Sequence, residues 1–97
     1  IVCNNGSYGT IRMHQERHYP VRVMGTDLAN PDFAALARAC GGLGLTVTHT
    51  GAFPAAFEQA MAARQPALIE LQLDLEALTP AQTLSQIRAK ALAQSQE

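Results

Sequence analysis

The stretch Asn4-Asn5-Gly6-Ser7-Tyr8-Gly9 holds the residues best suited to chemistry. Two adjacent amides offer neutral oxygen donors, which suit a hard cation. The glycines let backbone N–H groups approach an anion closely, and a helix starting directly after the loop favours negative charge there. The spacing describes a metal-plus-phosphate loop. A plain turn is the alternative, because Asn and Gly dominate turns for conformational reasons alone. Ile1-Val2-Cys3 ahead of the loop reads as the end of a buried strand, and a helix-compatible run follows. In a strand–loop–helix unit the loop lies at the carboxyl end of the strand, where open α/β sheets place their ligands.

Other candidates are weaker. His14 and His18 are four apart, a spacing that can hold zinc on a helix. A zinc peptidase needs Glu directly after the first His, and Gln15 stands there. Solvent-facing histidines favoured by a helix C-terminus are the better reading. Gly41-Gly42-Leu43-Gly44 follows a helix and precedes a strand, the reverse of a dinucleotide fingerprint, so it reads as a helix stop and tight turn. Glu70, Asp74 and Glu76 read as a solvated strand end and loop.

The elements that must position the loop follow from periodicity. A first helix is predicted from Tyr8 to about Arg17, with Ile11 and Met13 as its apolar positions; His18-Tyr19-Pro20 ends it. Val21 to Asn30 is an extended loop, in which 22–24 could form a short bridge. Asn30 as cap and Pro31 at the first helical position start a second helix that buries Phe33, Leu36, Ala37 and Cys40. A strand is predicted at Leu45–Thr48 and a turn at His49–Ala52. A third helix from Pro54 to Ala63 buries Phe57, Ala60 and Met61. Ala67–Gln72 reads as a parallel strand covered on both faces. Thr79 and Gln82 match a capping box that opens a last helix to about Ala93, with Leu84, Ile87 and Ala91 on one face. Gln94 to Glu97 is expected to fray. Strands alternating with helices imply an α/β fold with a parallel sheet, of which three strands are only part.

Composition sets the outer limits. The chain has 97 residues, enough for one domain at most, and 47% are hydrophobic, which suits a packed core. Net charge is −1 with both signs interspersed, so no basic stripe points to nucleic acid. No long apolar run or basic amphipathic tract points to a membrane. Two cysteines, Cys3 and Cys40, make no disulfide framework, and no secretory signal is visible, so a cytoplasmic setting is the default. The chain begins at Ile1 inside an apparent strand, without methionine, which reads as a piece of a longer polypeptide.

Asn4-Asn5-Gly6-Ser7-Tyr8-Gly9 resembles the second half of the thiamine-diphosphate binding motif, which opens with Gly-Asp-Gly and closes with Asn-Asn. Further matches follow in order: Tyr19-Pro20, Gly25-Thr26-Asp27-Leu28, Asn30-Pro31-Asp32-Phe33 with Ala37, and Pro66-Ala67-Leu68-Ile69-Glu70. The set resembles the C-terminal domain of the acetolactate synthase, benzoylformate decarboxylase and pyruvate decarboxylase group.

The resemblance implies a three-layer parallel sheet with helices on both faces, and that residues 1–97 are the C-terminal portion of the diphosphate-binding domain, truncated on its N-terminal side. It implies thiamine diphosphate and Mg2+ as cofactors. The metal would be held by the Asn5 side chain, the Ser7 backbone carbonyl and the Asp of Gly-Asp-Gly, and the diphosphate approached by Gly6, Tyr8 and Gly9. Gly-Asp-Gly is absent from this sequence. The general acid for cofactor activation, a Glu in this group, comes from the N-terminal domain of a neighbouring subunit, so this chain alone should be inactive. Thr10 and Ile11 fall where related enzymes line the substrate pocket, with helix packing an equal alternative. The implied activity is cleavage or formation of C–C bonds at a small 2-oxo acid or aldehyde, within a longer polypeptide that assembles as a dimer or tetramer. A non-catalytic α/β packing module that has lost the cofactor is the rival reading.

Overall fold

The computed structural model describes residues 1–96. In chain order the elements are β1 (Val2–Asn4), α1 (Gly9–His18), α2 (Phe33–Ala39), β2 (Leu43–Val47), a 3-10 turn (Thr50–Ala52), α3 (Phe53–Ala62), β3 (Ala67–Gln72) and α4 (Leu84–Ser95). The predicted order of strands and helices holds. The chain forms two compact units, one of residues 1–4 with 30–73, the other of residues 5–29 with the stretch from Asp74 onward. Among the described residues no helix is long and apolar enough to cross a membrane.

The first unit is a three-stranded parallel sheet in the order β1-β3-β2. The two crossovers run in opposite senses across the sheet. Right-handed crossovers, the rule between parallel strands, put α2 and α3 on opposite faces. Gly44 pairs with Leu68 and Thr46 with Glu70; these positions look toward α2, leaving Leu45, Val47 and Ile69 on the face that α3 covers. Ile69 and Val47 are buried there.

Gly44 is where α2 presses on β2. A Cβ at this position would overlap the backbone carbonyl of Ala34, a buried residue of α2. Backbone cannot step aside as a flexible side chain can. Gly44→Ala is expected to cost about 1–3 kcal/mol, read as a lower urea midpoint of the full-length protein. A loss below about 0.5 kcal/mol would show that α2 shifts freely.

Several sequence expectations move. β1 is an edge strand with Ile1 and Cys3 exposed, not the end of a buried one. α2 starts two residues late: Asp32, not Asn30, is its cap, accepting from the Ala35 N–H at 3.0 Å. Glu70 decides this. It is buried, not solvated, and its Oε1 accepts the Phe33 N–H at 3.0 Å, satisfying an orphan donor of the first turn, where the helix dipole favours a carboxylate. With the start shifted, α2 buries Ala34, while Leu36 and Cys40 are exposed. α3 buries none of its residues; Phe57 and Met61 face outward, and Phe53, Ala56 and Ala60 are half-buried. Gly41 does stop α2, with φ +86° and its N–H bonded to the Arg38 carbonyl.

In the second unit α1 packs against α4. The last helix is capped by Thr83, not by Thr79, and the capping box that opens it pairs Thr83 with Gln86. The Thr83 hydroxyl accepts from Gln86 N and the Gln86 side chain accepts from Thr83 N. Glu76 selects this start: its carboxylate accepts from the Ser85 N–H and hydroxyl at 2.9 and 2.8 Å. Thr79 and Gln82 close a turn ahead of it. Leu84, Ile87 and Ala91 are buried as expected. The helix continues through Ser95, two residues past the expected end, and Glu97 lies outside the described residues.

Candidate functional site

The loop continues directly from β1. Asn4 and Asn5 have different tasks. The Asn4 side-chain oxygen accepts from the Asn30 amide at 2.8 Å and its carbonyl accepts the Leu73 N–H at 2.8 Å, so it ties the end of β1 within the first unit. Asn5 turns back over its own loop: Oδ1 accepts the Ser7 N–H at 3.1 Å, an Asx turn closed across Gly6 at φ +69°. An amide oxygen has two lone pairs, so one stays available to a cation.

Ser7 is buried and forms an antiparallel bridge with Asp27. The bridging bonds come from the neighbours: Tyr8 N–H to Thr26 carbonyl at 2.9 Å, and Leu28 N–H to Gly6 carbonyl at 2.9 Å. In such a non-hydrogen-bonded pair each residue's own N–H and C=O point away from the other strand. The Ser7 carbonyl therefore looks out on the same side as its N–H, which is the side of the Asn5 amide. The two oxygens predicted as metal donors are thus on one side of the loop. They are of the type a hard cation takes, so the residues present fit a magnesium ion in part, with a carboxylate still to be supplied. Among the described residues no group of three or more His, Cys, Asp or Glu side chains could hold a metal.

Tyr8 caps α1 without a side-chain bond, and its carbonyl accepts the Arg12 N–H at 2.8 Å. Gly9 is tightly held: a Cβ there would lie 2.8 Å from Asn5 Nδ2 and 2.9 Å from Leu78 Cδ2. Ser7, Tyr8, Gly9, Thr10 and Ile11 line an open depression of about 290 Å³. Ile11 is 55% exposed, so it is not the core position of α1 that the periodicity suggested. Thr10 is exposed as well. His14 and His18 are exposed, with rings stacked 6.1 Å apart and nearly parallel.

The inward side chain of α1 is a charge, Glu16, with no exposed surface. Arg88 of α4 grips it with two bonds, Nε to Oε2 at 2.8 Å and Nη2 to Oε1 at 2.7 Å. Arg12 Nε adds a bond at 3.2 Å and the Val21 N–H another at 3.1 Å. The Arg88 bonds hold the carboxyl down at about 2 against the opposing effect of burial, with Val21 and Arg12 helping. Val21 stands at φ 60° in the turn after Pro20, a conformation that a β-branched residue keeps only when its surroundings hold it, here the bond to Glu16. Sequence reading passed over Glu16, whose neighbours drew notice only as a zinc spacing. It also left Thr26 and Gln15 without a role, although Gly25-Thr26-Asp27-Leu28 stood out as a match.

A parallel α/β sheet with an amide-and-glycine loop continuing from a strand defines a class that binds ligands at strand ends. The family of the thiamine pyrophosphate enzymes' C-terminal TPP binding domain matches residues 1–71, and the chain belongs to that family. It is 30% identical over 80 residues to YdaP of Bacillus subtilis (strain 168), provisionally named as a thiamine pyrophosphate-containing protein; the match covers 82% of this chain and 14% of that one. It is 31% identical over 74 residues to the mitochondrial acetolactate synthase catalytic subunit of Saccharomyces cerevisiae, covering 76% of this chain and 11% of that one. The chain thus spans between a tenth and a seventh of the length of these relatives.

Proposed function

We propose that this chain anchors thiamine diphosphate through Mg2+, within a longer polypeptide that cleaves or forms C–C bonds at small 2-oxo acids or aldehydes. The observation that carries the reading is the Asx turn of Asn5 onto Ser7 N, which puts an amide oxygen and a backbone carbonyl on one side of the loop. Asn5 Oδ1 and the Ser7 carbonyl would hold the ion. A neutral amide suits a site whose ligand already brings the negative charge. Gly6, Tyr8 and Gly9 let the backbone come close to the diphosphate, at the N-terminal end of α1. The bound cofactor supplies a thiazolium carbanion and an electron sink. This chain's residues bind and orient; none of them is assigned a proton transfer. Thr10 and Ile11, exposed beside the loop, are offered as pocket-lining residues. The missing metal ligand and the activating acid would come from the remainder of the polypeptide and from a second subunit of a homo-oligomer. Both cysteines are free thiols, which agrees with a reducing, cytoplasmic compartment.

Titrating the full-length protein with thiamine diphosphate and Mg2+ by calorimetry tests the reading. Saturable, magnesium-dependent uptake is expected. No uptake would overturn the enzyme reading and leave a packing module. Gly9 gives a second check. A methyl group there crowds the Asn5 amide and the end of the Leu78 side chain, so the amide is pushed from its place, while alanine at a helix start costs the fold little. Gly9→Ala is expected to raise the Mg2+ requirement about 10-fold, in the manner of a lost supporting contact, with an unfolding midpoint near wild type. An unchanged requirement would show that the amide need not hold its position.

A further inference from the structure

We infer that Thr26 and Gln15 are positioning residues that set the aim of the Ser7 carbonyl, so that the preference of the loop for Mg2+ over larger ions is decided by a strap outside the loop. This rests on reading Asn5 and Ser7 as metal donors. The strap is residues 24–28. Its Thr26 carbonyl accepts two bonds from the loop, the Ser7 hydroxyl at 2.8 Å and the Tyr8 N–H at 2.9 Å. The Leu28 N–H returns a third to the Gly6 carbonyl at 2.9 Å. The peptide that carries the proposed donor oxygen, between Ser7 and Tyr8, is therefore fixed from both ends, by the Ser7 side chain and by the Tyr8 N–H.

The strap is itself held. Thr26 is 2% exposed, and its Oγ1 donates to Gln15 Oε1 at 3.1 Å. Gln15 Nε2 donates to the Met24 carbonyl at 2.8 Å. One side chain of α1 thus pins the strap at two points, and sliding the strap along the loop would break these two bonds together with the buried bond from the Ser7 hydroxyl. No residue of this clamp needs to touch the ion.

The consequence is selective. Mg2+ demands near-octahedral oxygens at about 2.0–2.1 Å, while Ca2+ accepts irregular sets at about 2.3–2.6 Å. A carbonyl that is free to drift harms Mg2+ more than Ca2+. A role confined to folding would lower binding with either ion alike.

Thr26→Val keeps the shape and the strap carbonyl but removes the bond to Gln15. In the full-length protein, thiamine diphosphate binding is titrated with Mg2+ and with Ca2+. For Thr26→Val the Mg2+ concentration at half-saturation is expected to rise about 10-fold, as for lost second-layer partners of metal sites. The Ca2+ requirement should move less, and Thr26→Ser should restore the wild-type ratio. Ser7→Ala, which keeps the proposed carbonyl ligand, should shift the ratio in the same direction, and it decides the matter if Thr26→Val does not fold. An unchanged Mg2+/Ca2+ ratio in the folded variants, with wild-type uptake intact, overturns the positioning role. Absence of uptake by the wild type with either ion overturns instead the proposed function on which it rests.

Discussion

Glu16→Ala is expected to destabilise the second unit by about 3–5 kcal/mol, the usual cost of removing one partner from a buried ion pair. The physical reason is the arginine left behind. Arg88 bonds both carboxylate oxygens, and Arg12 lies against the same group. Without Glu16 the Arg88 guanidinium loses both of these acceptors, Arg12 keeps only its longer contact with Asp27 at 3.6 Å, and the Val21 N–H loses its acceptor while its backbone stays at φ 60°. Glu16→Gln should cost less, because an amide still accepts one bond from Arg88. The pH dependence has a definite sign. The folded carboxyl is held at about 2 against an ordinary 4.5. Its contribution is complete above pH 4.5 and is lost as pH falls from 4.5 toward 2. Urea unfolding of the full-length protein between pH 7 and 3 checks both points. A stability loss under about 1 kcal/mol for Glu16→Ala, or an acid slope undiminished in Glu16→Gln, would remove the pair from this role.

Asn5→Ala is expected to weaken magnesium-dependent binding of thiamine diphosphate about 100-fold, or roughly 2.7 kcal/mol. The substitution removes two things together: the amide oxygen offered to the ion, and the acceptor that holds the Ser7 N–H and so the orientation of the next carbonyl. Asn5→Asp separates them. It keeps an oxygen in both places, so the turn survives, but adds a charge that repels the diphosphate. Binding of Mg2+ alone should therefore be preserved in Asn5→Asp, while binding of the cofactor falls. Calorimetry on the three proteins reads this directly. Wild-type affinity in Asn5→Ala would exclude Asn5 from the metal site.

Local signals were strong wherever a residue's role depended on its neighbours in the chain. The amide-glycine loop, the helix stop at Gly41 and the apolar face of Leu84, Ile87 and Ala91 were legible because turn chemistry and helical period act over a few residues. Periodicity held only in part for α2 and α3, where Phe33, Ala37 and Ala60 are half-buried but Leu36, Cys40, Phe57 and Met61 are exposed, and it missed the inward residue of α1. It assumes that every helix turns an apolar stripe inward, and here α1 turns in a glutamate, α2 an alanine against Gly44, and α3 only half-buried small residues and Phe53.

The candidate site divides along the same line. Its residue types, order and family were readable from the sequence, since Asn5, Gly6, Ser7, Tyr8 and Gly9 are contiguous. Which amide folds back over the loop was not readable from local chemistry, since Asn4 is engaged instead by Asn30, 26 residues away. Nor was the clamp on Ser7, made by Thr26, 19 residues on, and Gln15. The start of α2 hangs on Glu70 and the burial of Glu16 on Arg88, 37 and 72 positions distant. Chain order alone determined the strand–loop–helix frame and the donors it offers. Only the tertiary structure decided their aim, since a hydrogen bond depends on distance in space and places no limit on separation along the chain.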